Sequence, residues 1–191
     1  MPNKTKYDLE KALKELMQKK PLDKITISDL TEACSLSRMA FYYHFRDIYD
    51  LVEWICLEDA SRALQGKKTY DTWQEGMLQI FEVVLENKSF ILNVYHSISR
   101  EQIENYLFRL VYDLLRGVVE EKSVGMNISE EEKRFIADFY KYGFVGIMLD
   151  WIKGGMKEDY RIIADRMGNT LQGNVTNAIE NFQSHRKKDV R

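Results

Sequence analysis

The residues best suited to chemistry in this chain are cations and phenols gathered in one short stretch. Between Ser35 and Arg46 stand Arg38, His44 and Arg46 with Tyr42 and Tyr43, and no Asp or Glu interrupts them. Elsewhere Lys and Glu are freely mixed, and the whole chain carries a net charge of −2. A local acid-free window in a near-neutral chain is what a surface for phosphates requires, because a carboxylate there would repel them. An arginine can also bond two acceptors on a guanine edge at once.

Patterns for catalysis do not accompany these cations. None of the three histidines, His44, His96 and His185, has Asp or Glu three residues before it, as a helical metal site of the Glu-x-x-His kind demands. There is no glycine-rich phosphate loop, G-x-S-x-G elbow or Cys–His arrangement. Cys34 and Cys56 form no CxxC pair, which fits a reduced intracellular protein without disulfides or zinc. No enzyme activity, catalytic residue, cofactor or metal is expected. The N-terminal MPNKTKYDLE has no apolar signal core, and the best apolar run, FVGIML at 144–149, is stopped by Asp150. That run is far short of the roughly 18 residues a membrane helix needs. A soluble, cytoplasmic protein with no membrane partner follows as the expectation.

The elements that must carry the cation patch are helical. Pro2 and Pro21 are the two prolines, and glycine is scarce at 10 in 191 residues. Folds rich in turns recruit both residue types for fixed backbone reasons. Apolar residues recur at helical spacing almost throughout, beginning with Leu9, Ala12, Leu13, Leu16 and Met17, and no period of two persists. Pro21 breaks this first helix, expected over 7–19. Thr26 with Asp29 caps a second, short helix ending near Cys34; Ser37 caps a third, and Asp47 a fourth reaching about Gln65. Further helices are expected at about 72–87, 90–97, 100–121, 130–153 and 158–184. Asp71 with Gln74, Ser99 with Gln102 and Ser129 with Glu132 cap three of them, and Gly154-Gly155 stops the penultimate one. The fold class is all-α, with about nine helices.

Residues 26–45 read TISDLTEACSLSRMAFYYHF, two short capped helices about three residues apart. This is helix-turn-helix spacing, in which the second helix enters the DNA major groove. On that helix Phe41 and Phe45 lie four apart and turn to a core with Leu36, while Arg38 and Tyr42 lie on a different face.

The run TISDLTEACSLSRMAFYYHFRDIYDLVEWI resembles the TetR-type transcriptional regulators over about residues 7–56. Further on, FYKYGFVGIMLDWIKGGM resembles a TetR subgroup common in Gram-positive bacteria that includes activators of dihydroxyacetone kinase operons. The resemblance implies a three-helix helix-turn-helix DNA-binding domain at 1–48 and a helical effector-binding and dimerisation domain at 49–191. It implies a phosphate contact for Thr26 and base-edge contacts for Ser37, Arg38 and Met39. Tyr42 and Tyr43 would meet phosphates and thymine methyl groups, and His44 a phosphate; Arg46 completes the DNA set. Two positions depart from the family pattern: Ser35 stands where a turn glycine is usual, and Ile48 where lysine is frequent.

The remainder of the chain has two helices suited to a partner. The first carries Phe135, Ile136, Phe139, Tyr140, Tyr142, Phe144, Ile147, Met148 and Trp151, apolar nearly all round, with Gly143 and Gly146 allowing close approach. The last carries Ile163, Met167, Leu171, Val175, Ile179 and Phe182 as a stripe. Together they predict a homodimer through a four-helix interface, holding two recognition helices ~34–36 Å apart on a palindromic double-stranded operator. The expected control is repression, released by a small-molecule effector, with a regulator or activator controlled by a protein partner as the alternative. Candidate effector residues are Phe81, Tyr95, His96, Tyr106, Phe139 and Tyr142.

Overall fold

The computed structural model describes residues 2–64, 73–171 and 173–189. They form α1 (Pro2–Met17), a 3-10 turn (Leu22–Lys24), α2 (Ile27–Ala33), α3 (Arg38–His44), α4 (Ile48–Ala63) and α5 (Trp73–Glu86). Then come α6 (Lys88–Ser97), α7 (Arg100–Lys122), α8 (Glu130–Lys153), α9 (Tyr160–Leu171) and α10 (Asn174–Asp189). No strand occurs among the described residues, so the chain is all-α as expected.

Local capping chemistry decides most of these boundaries. Thr26 accepts the Asp29 N–H at 3.1 Å while Asp29 accepts the Thr26 N–H at 2.7 Å, a reciprocal capping box. Ser129 and Glu132 repeat it for α8, at 3.2 and 2.8 Å. Ser37 accepts the Ala40 N–H at 3.1 Å, and Asp47 the Asp50 N–H at 2.8 Å. The expected cap at Asp71 lies outside the described residues, as does Gln65 at the expected end of α4. Helix α1 begins at Pro2, earlier than the expected residue 7; proline is well suited to a first helical turn, where its missing N–H costs nothing.

At the end of α8, Gly155 takes φ 74 and the Met156 and Gly155 N–H groups donate to Trp151 and Ile152 carbonyls, both at 2.9 Å. That is the six-to-one, five-to-two closure that ends helices on a left-handed residue. The single helix expected over 158–184 is instead two. Gly173, with φ 78, leaves right-handed helical space between α9 and α10, and its carbonyl accepts the Asn177 N–H at 2.9 Å to start the new helix.

Two compact units result. The first joins residues up to Asp59 with Glu86–Tyr106, and the second joins Ala60–Leu85 with Leu107 onward. In the first, Leu9, Leu13, Leu30, Phe41, Leu51, Val52 and Ile55 are fully buried, with Phe90 and Val94 of α6 in the same core. The core behind the helix-turn-helix therefore draws on residues well beyond position 48. In the second unit, Phe81, Leu114, Ala137, Val145, Trp151 and Ile179 are among the buried residues. The Trp151 ring meets Phe81 edge-on at 5.1 Å, and its indole N–H donates to the Glu158 carbonyl at 2.9 Å. No described helix is long and apolar enough to cross a membrane.

Candidate nucleic-acid interface

Helix α3 is anchored by one face and offers the other. Phe41 is fully buried and Phe45 nearly so, with Leu36 packed against the same core. The Phe45 ring lies 5.8 Å from Trp54 of α4, and the Lys6 ammonium covers both rings at 5.4 and 5.3 Å. With those two phenylalanines inward, helical geometry turns the intervening side chains outward. Met39 and Tyr43 are each 82% exposed and Tyr42 is 51% exposed, in positions where a monomer gains nothing from apolar bulk. Arg38 and Ser37 are exposed beside them, and Arg38 has no carboxylate partner among the described residues. His44 is half-buried, its ring edge-on to Tyr43 at 4.9 Å. Arg38, Met39, Tyr42 and Tyr43 thus share one exposed helix surface.

The turn before α3 is closed by the backbone alone. Ser35 takes φ 55, its N–H donating to the Glu32 carbonyl at 3.2 Å, while the Leu36 N–H donates to Thr31 at 2.8 Å. This left-handed closure is the one that usually employs glycine. Ile48, where the resemblance leads one to look for lysine, is half-buried against the core and does apolar work.

Two features of the patch escape a linear reading. The acid-free window is approached from outside by Asp50, whose carboxylate accepts the Arg46 N–H at 2.9 Å and lies 3.9 Å from its guanidinium. Only the i, i+4 geometry at the start of α4 brings it there. At Thr26 the hydroxyl donates to Asp29 at 2.8 Å, and Lys20 binds the same carboxylate oxygen at 2.8 Å. The Lys20 hydrogen bond, then those from the Thr26 backbone and hydroxyl, hold the Asp29 carboxyl down at about 2. It is ionised at every ordinary pH, with Lys20 as its counter-charge.

The six candidate effector residues do not line one described cavity. Tyr95 and His96 meet ring to ring at 5.4 Å, with His96 exposed, and Tyr106 donates to the Tyr49 carbonyl at 3.3 Å, all in the first unit. In the second unit Phe81 is buried against Trp151, whereas Phe139 and Tyr142 are 65% and 60% exposed. A cavity of about 700 Å³ in that unit is lined instead by Trp73, Gln74, Leu115, Tyr140, Phe144 and Tyr160, among others. Burial raises the Tyr140 phenol above its ordinary range. Tyr140 follows Phe139 by one residue, and a helix turns about 100° per residue, which moves the side chain from outer face to cavity. Among the described residues no group of His, Cys, Asp and Glu is disposed to hold a metal, and burial pushes the Cys56 thiol up to about 12.

Comparison with known proteins agrees with this geometry. The family described as "Bacterial regulatory proteins, tetR family" matches residues 10–55, and "Transcriptional regulator C-terminal region" matches residues 71–173. The chain is 26% identical, over 141 residues, to the HTH-type dhaKLM operon transcriptional activator DhaS of Lactococcus lactis subsp. lactis (strain IL1403), covering 71% of this chain and 72% of that one. A solved structure, the dihydroxyacetone kinase operon activator DhaS, shares the fold with a TM-score of 0.68 at 22% identity, covering 90% of this chain and 96% of the other. With both halves matched and the outward face of α3 where the family's pattern puts it, the chain belongs to the TetR family of transcriptional regulators.

Proposed function

We propose that this regulator binds a palindromic operator as a homodimer, reading bases through Arg38 with Ser37 and Met39, and phosphates through Tyr42, Tyr43, His44 and Arg46, with Thr26 joining them by turning its hydroxyl from Asp29. The exposed face of α3 carries this reading: Met39 and Tyr43 are each 82% exposed, and thymine methyl groups and phosphates would bury them. A homodimer is supported by α8, where Phe135, Phe139, Tyr142 and Ile147 are all exposed. A Cβ on Gly143 or Gly146 would meet nothing within 4 Å, so a partner helix has room there. The α8–α9 groove bordered by Phe139, Tyr142, Gly143 and Ile147 measures about 1010 Å³ and is lined also by Ile163 and Met167. A two-fold interface would present the same face twice. Cytoplasmic residence goes with this function.

Control is read as repression released by a small-molecule effector, and the cavity walled by Trp73, Tyr140 and Tyr160 is of the size such ligands occupy. Release would follow if the ligand favours a dimer whose recognition helices no longer match the half-sites. A second reading, activation, is favoured by the relative described as an operon activator. Protection of the upstream intergenic DNA from nuclease, combined with a reporter in the presence and absence of the gene, tests both. A symmetric footprint supports the homodimer on a palindrome; its absence removes that reading, and the sign of the reporter change decides repression against activation.

A further inference from the structure

Three of the four hydrogen bonds of the Asn93 amide, in α6, go to the far end of α1 and the connection that follows it. Its Nδ2 donates to the Met17 carbonyl at 2.9 Å and the Lys20 carbonyl at 3.1 Å. Its Oδ1 accepts the Leu22 backbone N–H at 2.9 Å and the Ser97 hydroxyl at 3.2 Å. Carbonyls at a helix end, and the first N–H of the turn that follows, lack helical partners, so one side chain completes what the backbone leaves open. Only a carboxamide offers two donors and an acceptor in that arrangement.

The same turn continues toward DNA. Lys20, held through its carbonyl by Asn93, bonds Asp29 through its ammonium at 2.8 Å, and Asp29 closes the Thr26 cap that starts α2. Hydrogen bonds and one lysine side chain therefore connect Ser97 and Asn93 of α6 to the first turn of the helix pair. Phe90 and Val94, on either side of Asn93 in sequence, pack in the core with Leu13, Leu30 and Phe41. Helix α6 and the helix pair are thus joined by a polar chain and an apolar contact inside one compact unit.

We infer that Asn93 is a positioning residue for DNA binding: from α6 it fixes the α1–α2 connection, and through Lys20 and Asp29 it sets the start of the helix pair, without touching DNA. The inference rests on the DNA-binding reading above. It makes α6 part of the DNA-reading body, although α6 lies more than forty residues after the recognition helix in sequence.

The test is a double-mutant cycle on the full chain, with Asn93→Leu, Lys20→Met and both together. Affinity for the duplex upstream of its own gene is measured beside helical content and melting temperature. The Lys20 side chain is one-third exposed, so its variant is expected to keep the fold; Asn93→Asp serves where Asn93→Leu does not fold. Each single change is expected to weaken binding roughly three- to tenfold while the protein stays folded, and the double change no more than the stronger single one. Folded variants that bind like wild type, or losses that multiply independently, overturn the inference. Failure of the wild-type chain to bind duplex DNA would instead defeat the DNA-binding reading, so the two failures are distinct.

Discussion

The Leu36 N–H donates to the Thr31 carbonyl at 2.8 Å, closing the turn between α2 and α3 over a Ser35 held at φ 55. A side chain in left-handed backbone costs about 1 kcal/mol that glycine avoids. Ser35→Gly is therefore expected to raise the unfolding free energy by about 1 kcal/mol, less what glycine's extra freedom returns to the unfolded chain. Urea denaturation with an unchanged slope checks this. A loss of stability would mean that Ser35 makes a contribution beyond its backbone geometry.

Asp29 supplies a pH prediction. Its folded-state value of about 2 lies below the ordinary 3.8, so the cap's contribution is fully present above about pH 4 and is lost as pH falls through about 2. Asp29→Asn should lower stability at neutral pH and converge on the wild type at the acid extreme. Lys20→Met should return the carboxyl toward 3.8, because the Lys20 hydrogen bond is the largest cause of the depression. Carbon-detected NMR titration of the Asp29 carboxyl reads this directly.

The exposed face of α8 predicts an oligomer. In a two-fold interface Phe139→Glu introduces its charge twice, and burying an unpaired carboxylate costs several kcal/mol. Sedimentation should show a dimer for the wild type and a folded monomer for the variant, with operator affinity falling at least about 100-fold. A monomeric wild type with full DNA affinity would refute the interface.

What could be read in the linear chain was what short-range chemistry decides. The caps at Thr26, Ser37 and Ser129 act over three residues, and Phe41 and Phe45 face the core by helical period alone, so their roles are visible in one dimension. Gly173 was not distinguishable by type from Gly143, Gly146 and Gly168, which lie inside helices; only its φ of 78 separates α9 from α10. Asn93 gave no local signal because its partners Met17 and Lys20 are 76 and 73 residues away. An aromatic residue on a helix does not reveal which way it faces, and one residue of helical rotation separates exposed Phe139 from cavity-lining Tyr140.

The central claim, that the outward face of α3 reads DNA, is tested most directly by salt-dependent gel shifts of Arg38→Ala and Tyr43→Ala on the upstream intergenic duplex. Arg38→Ala is expected to weaken specific binding by about 10- to 100-fold while narrowing the gap to unrelated DNA, as loss of a base contact does. Tyr43→Ala should weaken both kinds of DNA alike, as loss of a phosphate contact does. Variants that remain folded and bind both DNAs with wild-type affinity and salt slope would contradict the account.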